Sequence, residues 1–231
     1  MKLILKTLIL SASLCSSLAL ANTEAHSDYL KGTAYLNQDN YKDAITWLTS
    51  AANSGSIEAQ NKLGVIYAKG IGTDVNTQLA IQYFTKAAAN ESSMAYYNLG
   101  KVYESQEKFS IAIDWYNKAI EMNNSNAMNN LADLYLNGKD LVQNIHQAEL
   151  LYIQAAESGN ATAMRNLGFL YYKGNEVKQD MEKAYFWFNL AAAKAYPEAD
   201  KYRDFTGKKV NKSKRVLIQN EALEWLEEYP N

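Results

Sequence analysis

Small and aromatic positions recur along the chain with a period of about 34 residues. A tyrosine returns at intervals of 32, 36, 32 and 36 residues: Tyr35, Tyr67, Tyr103, Tyr135 and Tyr171. Three residues before each tyrosine lies a small residue: Gly32, Gly64, Gly100, Ala132 and Gly168. Two alanines seven residues apart follow in every unit, beginning at Ala44, Ala80, Ala112, Ala148 and Ala184. Such registration predicts five copies of one structural unit.

Each unit predicts two antiparallel helices. In the first helix, A-x-x-x-L-G/A-x-x-Y places its apolar residues on one face at helical spacing. In the second helix, runs such as residues 80–89 carry aromatic residues on one side and alanines on the other. Because one pair cannot bury its apolar face alone, the pairs must stack. We predict an all-α, right-handed superhelical solenoid of five pairs over residues 22–198, with a C-terminal capping segment over residues 199–231.

The first 21 residues have the features of a secretory signal. Lys2 and Lys6 precede an uncharged, mostly apolar stretch that ends in Ala19-Leu20-Ala21. This predicts cleavage after Ala21, a periplasmic or secreted mature chain and no stable membrane insertion, since the stretch is too short to span a bilayer. Lipid attachment at Cys15 is the less favoured alternative, because leucine precedes it.

Composition narrows the chemistry further. The chain has 23 basic and 25 acidic residues, which gives no net positive charge for binding nucleic acid. It has one cysteine and two histidines in no metal-binding spacing, so we predict no metal and no cofactor. Five basic residues lie between Lys208 and Arg215. A solvated linker is the favoured interpretation of that cluster, and attachment to an acidic partner or anionic lipid is the alternative.

The motif A-x-x-x-L-G-x-x-Y-x-x-G, followed by K-A-A-x-x-G, resembles the Sel-one-like repeat (SLR) family, a relative of tetratricopeptide repeats. The best matches begin at Ala59, Ala127 and Ala163, whereas the first and third units are more similar to tetratricopeptide repeats. The resemblance implies the fold, and it implies a non-catalytic adaptor that holds another protein or a peptide. For secreted bacterial members of the family, the resemblance implies a role in envelope assembly, host interaction or protection against toxins.

The candidate binding residues are the variable positions of the first helices, which would line a concave groove. They are Asn61, Tyr97, Asn98, Lys101, Asn129, Asn130, Asp133, Arg165, Asn166 and Phe169. Asn98, Asn130 and Asn166 occupy equivalent positions, and such a row could bind the backbone of an extended peptide. Arg165 and Lys101 would then bind carboxylates. The alternative is that each asparagine only satisfies a neighbouring helix end or turn.

Two other functions stay open from the sequence. One is an immunity protein that neutralises a toxic effector. The less favoured one is an enzyme acting on β-lactams or peptidoglycan, because Ser105 and Lys108 form an S-x-x-K motif. The chain lacks the K-T-G and S-D-N motifs that accompany it, and the motif falls in a predicted turn. We therefore expect no enzymatic activity.

Overall fold

The computed structural model describes residues 22–139 and 142–230. The predicted signal segment, with its cleavage position Ala21, lies outside these residues. All regular secondary structure in the described ranges is α-helical, and no helix there is long and apolar enough to cross a membrane. The chain divides into two compact units after Val102, which are treated separately below as unit 1 and unit 2.

Unit 1 holds two complete helix pairs and most of a fifth helix. The helices are α1 (22–36), α2 (Tyr41–Asn53), α3 (Ile57–Lys69), α4 (Thr77–Ala88) and α5 (Ser93–Ser105), with the boundary inside α5. Helix α3 begins where the Ser56 side chain accepts a hydrogen bond from the Ala59 amide. It ends at Gly70, whose φ of 69° is the left-handed conformation that glycine adopts without strain.

Unit 2 continues the same alternation of helices. Its helices are α6 (Phe109–Ile120), α7 (Ser125–Asn137), α8 (Ile145–Glu157), α9 (Ala161–Lys173), α10 (Met181–Ala193), α11 (Ala199–Gly207) and α12 (Lys212–Glu228). Consecutive helices from α6 to α11 pack against each other at α6–α7, α7–α8, α8–α9, α9–α10 and α10–α11. Asparagine or aspartate caps the start of α7, α8, α9 and α10 with its side-chain oxygen.

The repeated positions form the cores of both units, as predicted. Four residues after the first alanine of each second helix lies a side chain that is at most 1% exposed: Leu48, Phe84, Tyr116, Tyr152 and Phe188. The glycines of the first helices allow these side chains to approach. A Cβ added at Gly64 would lie 2.4 Å from Phe84, and one at Gly168 would lie 2.6 Å from Phe188. The close approach of the helices therefore requires glycine at these two positions.

The C-terminal segment forms two helices that cover α10, which confirms the predicted cap. Helices α11 and α12 both pack on α10. Tyr185 of α10 forms a buried cluster with Val210 and Ile218, and the Trp187 ring meets the Trp225 ring edge to face at 5.9 Å. The apolar end of the last repeat is thereby removed from water.

Candidate functional site

A polar network joins α7, α8 and α9 in unit 2. The Asn166 side-chain amide donates to Asn129 Oδ1 at 3.1 Å, across 37 residues of sequence. The Asn129 amide is within 3.3 Å of Asp133 Oδ2. On the other side, the Tyr152 hydroxyl donates to Asp133 Oδ1 at 2.5 Å. Four residues from three helices thus hold one another in place.

This network borders a groove of about 320 Å³. The lining residues come from α7, α8, α9 and the segment after α9: Asp133, Leu136, Asn137, Tyr152, Arg165, Asn166, Phe169, Leu170, Lys173 and Glu176. The groove carries charges of both signs, since Asp133 and Glu176 are acidic and Arg165 and Lys173 are basic. Its floor includes the apolar side chains of Leu170 and Phe169, so it offers both apolar contact and polar anchoring.

The Arg165 guanidinium is held in one orientation. It lies 4.7 Å from the centre of the Phe169 ring and 5.7 Å from that of Tyr196, and it donates to Asn166 Oδ1 at 3.0 Å. Cation–π contacts of this kind fix a planar guanidinium without consuming its outward N–H groups. None of the ion pairs within 4 Å in the described part of the chain includes Arg165. Most of its five N–H donors therefore stay available to a ligand carboxylate.

Burial and neighbouring charged groups shift the pKa of the Asp133 carboxyl group. Burial raises the pKa of Asp133, and the nearby charge of Glu104 raises it further. The Tyr152 hydrogen bond and the positive charge of Arg165 act in the opposite direction and lower it. Burial and the Asp133 charge also raise the pKa of Tyr152. The tyrosine therefore keeps its proton and acts as a permanent donor to the carboxylate.

A second polar chain runs between α5, α6 and α7. The Asn130 amide donates to the Tyr116 hydroxyl at 3.0 Å, and that hydroxyl donates to Glu104. Tyr116 and Tyr152 occupy the core position that Leu48, Phe84 or Phe188 fills in the other repeats. Tyr116, Tyr152 and Glu104 were not among the site residues predicted from the sequence. A usable signal existed, because a hydroxyl at a position that is otherwise purely apolar requires a buried partner.

The structure brings six of the ten predicted site residues together in unit 2: Asn129, Asn130, Asp133, Arg165, Asn166 and Phe169. Asn129 is buried, and the side-chain amides of Asn129, Asn130 and Asn166 all donate to other protein groups. These asparagines therefore position their neighbours, and their proposed contact with a peptide stays a prediction.

The remaining four predicted residues lie in unit 1. The Asn61 amide donates to Ser92 Oγ at 2.9 Å, and Ser92 in turn accepts from the Ala95 amide at the start of α5. Lys101 is exposed, and its ammonium lies 5.6 Å from the Tyr97 ring centre. Asn98 is half-buried, and its Nδ2 is a buried donor with no partner in the described ranges.

The motif considered for catalysis lies at the protein surface. Ser105 is the last residue of α5, Lys108 directly precedes α6, and both side chains are exposed. A nucleophile needs a neighbouring base and a sheltered site for the reacting carbonyl, and an exposed turn supplies no such shelter. Over the described ranges, no group of three or more histidine, cysteine or acidic residues is arranged to hold a metal ion.

Most of the repeats in this chain match a known repeat family. The Sel1 repeat matches residues 25–56, 57–92, 125–160 and 161–196, which together make up more than half of the chain. The chain belongs to the Sel1-repeat family. Residues 93–126 match a tetratricopeptide repeat, as predicted for the third unit. The first unit was also predicted to be tetratricopeptide-like, but residues 25–56 match the Sel1 repeat, so that prediction was wrong.

A solved structure confirms the predicted solenoid fold. The protective antigen of uropathogenic Escherichia coli, which displays an SLR fold, aligns with a TM-score of 0.76 and 27% identity over 89% of this chain and 46% of that chain. An immunity protein from Pseudomonas aeruginosa aligns with a TM-score of 0.55 and 18% identity, over 86% of this chain and 83% of that chain. At that identity the likeness concerns the fold alone.

Among curated relatives, the DAP3-binding cell death enhancer 1 of Rattus norvegicus is 36% identical over 96 residues. That alignment covers 40% of this chain and 18% of the relative. This chain spans less than a third of the length of the curated relatives that it matches. Sel1 and tetratricopeptide repeats are typically non-catalytic scaffolds for protein interactions.

Proposed function

We propose that this protein is a non-catalytic adaptor of the cell envelope that binds a segment of a partner protein in the groove between α7 and α9. The location rests on the signal segment predicted at residues 1–21. The choice of groove rests on the arrangement around Arg165. The same interface would serve the adaptor and the immunity alternative, and the identity of the partner distinguishes them.

The observation that carries the proposal is an oriented guanidinium with unused donors beside a polar groove. Phe169, Tyr196 and Asn166 fix the orientation of Arg165. A group that is already ordered loses little entropy on binding, which favours affinity. Its planar fork matches a carboxylate, so the bound segment is expected to present an acidic side chain or a chain terminus there.

The shape of the groove favours a segment over a folded surface. Its volume of about 320 Å³ accommodates a few side chains, and apolar contact comes from Leu136, Phe169 and Leu170. Lys173 lines the same groove, and its ammonium lies 5.9 Å from the Phe169 ring centre. A short peptide with one acidic and one apolar side chain would therefore fill the site and place its carboxylate at Arg165.

The test is a crosslinking capture in intact cells followed by a binding measurement. The tagged protein is crosslinked in its native compartment, the enriched partner is identified, and its affinity is measured by calorimetry for wild type and for Arg165→Ala. Hydrogen bonds to charged groups contribute roughly 1.5–3 kcal/mol, so we expect about a tenfold to hundredfold weaker complex.

Arg203→Ala is the matched control. Arg203 is also partly exposed on a helix of unit 2, but it pairs with Asp204 at 2.8 Å and does not line the groove. Its replacement should leave the affinity unchanged. Equal affinity of wild type and Arg165→Ala, with equal melting temperatures, would refute the groove. A partner that is a toxic effector would favour the immunity alternative.

A further inference from the structure

Helix α12 has an apolar and charged face that no described part of the chain covers. Its inner side packs through Ile218 and Ala222, which are 6% and 4% exposed. On the opposite side Val216 and Leu223 are 51% and 61% exposed. These two residues lie seven positions apart, so they share one face of the helix. An apolar pair of this kind at helical spacing is typical of a helix that packs against another helix.

The charges of α12 are separated along its length. Lys212 and Lys214 lie in its first turn, and Glu227 and Glu228 lie in its last turn. No acidic residue lies in the first turn and no basic residue in the last. This arrangement opposes the helix macrodipole, which favours acidic residues at the start and basic residues at the end. Stability of the isolated helix therefore does not account for the charge order.

The outer face is self-complementary. A two-fold axis placed between Gln219 and Asn220 would oppose residue 212 of one copy to residue 227 of the other, and residue 216 to residue 223. It would thus bring Lys212 to Glu227 and Val216 to Leu223, twice in each pair of copies. At 3.6 residues per turn, these four positions fall within about 60° of one another around the helix. Charge and apolar contact are therefore matched on a single face.

The ions of this face are not engaged elsewhere. Lys214 forms an ion pair with Glu182 of α10 at 2.7 Å, whereas no ion pair within 4 Å in the described ranges includes Lys212 or Glu227. The basic cluster predicted to be a solvated linker thus divides into two parts. Lys214 anchors α12 to its own unit, and Lys212 projects from the exposed side.

We propose that two copies of this protein associate through antiparallel pairing of their α12 helices. The helix has 17 residues and is therefore about 26 Å long. One such helix face buries less than the roughly 1,200 Å² of a standard interface, so the dimer is expected to be weak, in the micromolar range or above. Its attraction is partly ionic and weakens as salt is added.

The test uses analytical ultracentrifugation of the full chain over a wide concentration range. Lys212→Glu turns both Lys212–Glu227 pairs into repelling pairs, and Glu227→Lys does the same with the opposite sign. Each variant alone should associate at least about fivefold more weakly than wild type. An equimolar mixture of the two variants restores opposite charges at both pairs, so it should form a heterodimer.

This design separates the interface from folding. Both substitutions place a charge that the helix dipole favours, so neither should unfold α12. Lys42→Glu on α2 and Glu121→Lys beyond α6 are exposed controls that change the net charge equally. They should associate like wild type.

A wild type that stays monomeric at millimolar concentration would overturn the proposal. So would a dimer that survives Lys212→Glu, or a mixture of the two variants that does not pair. A monomer that binds vesicles of anionic phospholipid through Lys212 would also overturn it and would assign the basic cluster to a lipid surface. The result expected is that each single variant associates at least about fivefold more weakly than wild type and that the mixture recovers association.

Discussion

Replacing Gly168 by alanine tests the helix contact on which the repeat depends. The added Cβ would lie 2.6, 2.7 and 2.9 Å from Cε1, Cδ1 and Cζ of the Phe188 ring. Carbon atoms in contact normally lie about 3.5–4.0 Å apart, so the ring must move by roughly 1 Å. Its retreat is restricted, because Phe169 and Tyr202 pack around it at centroid distances of 5.2 and 5.4 Å.

The expected loss of stability is the cost of overpacking the core less the gain from the higher helix propensity of alanine. Overpacking of a well-filled core costs about 1–3 kcal/mol. Alanine recovers about 1 kcal/mol through its higher helix propensity. We therefore expect Gly168→Ala to lower the free energy of unfolding by up to about 2 kcal/mol. Urea denaturation followed by circular dichroism and tryptophan fluorescence measures this change.

A double-mutant cycle identifies the ring as the cause. Alanine at position 188 would lack all three ring atoms that the added Cβ would strike. Phe188→Ala should therefore cost less in the Gly168→Ala background than in wild type. Strict additivity of the two substitutions would refute the packing argument. Gly64→Ala, whose Cβ would lie 2.4 Å from Phe84, should behave in the same way.

Two further predictions concern the site and its supports. Because burial raises the pKa of Asp133, its contribution to stability is fully present below its ordinary value of 3.8 and is lost as the pH rises through the folded value. Asp133→Asn should therefore remove this loss as the pH rises above 3.8, as measured by urea denaturation. An unchanged pH profile would contradict the burial of this charge. Asn160→Ala should cost about 2 kcal/mol, and Asn144→Ala about 1 kcal/mol. The side-chain oxygen of each asparagine accepts a capping hydrogen bond of 3.0 Å, and the Asn160 amide also donates to Asn126 at 3.0 Å. Thermal or urea unfolding measures both losses of stability. Equal losses would show that the bond between Asn160 and Asn126 contributes nothing.

Much of the architecture could be read from neighbouring residues. The spacing of Gly168 and Tyr171, repeated in every unit, predicted the buried face of the first helices. Gly174, which ends α9 with a φ of 65°, was recognisable from its place after an apolar run. The cap over the last repeat also followed from the sequence, since an exposed apolar end requires a cover.

The candidate site was only partly predictable. The sequence indicated which helices vary at their exposed positions, and six of those positions meet in one unit. It did not reveal that the asparagines bond to one another rather than pointing outward as a row. It also did not indicate that tyrosines of the second helices reach across to Asp133 and Glu104.

The sequence by itself determined the period, because the same residue types recur every 32 to 36 positions. It also determined the helices, their ends and their buried faces, because these depend on residues three or four positions apart. Only the tertiary structure decided which polar groups meet. The contact between Asn166 and Asn129 spans 37 residues, and it exists because packing through α8 brings α7 and α9 together. Packing of α10 on α9 likewise brings Tyr196 to Arg165, whereas Phe169 lies four residues from Arg165 on the same helix. A repeat pattern fixes where side chains lie on each helix, but the fit between helices selects the partners of each side chain.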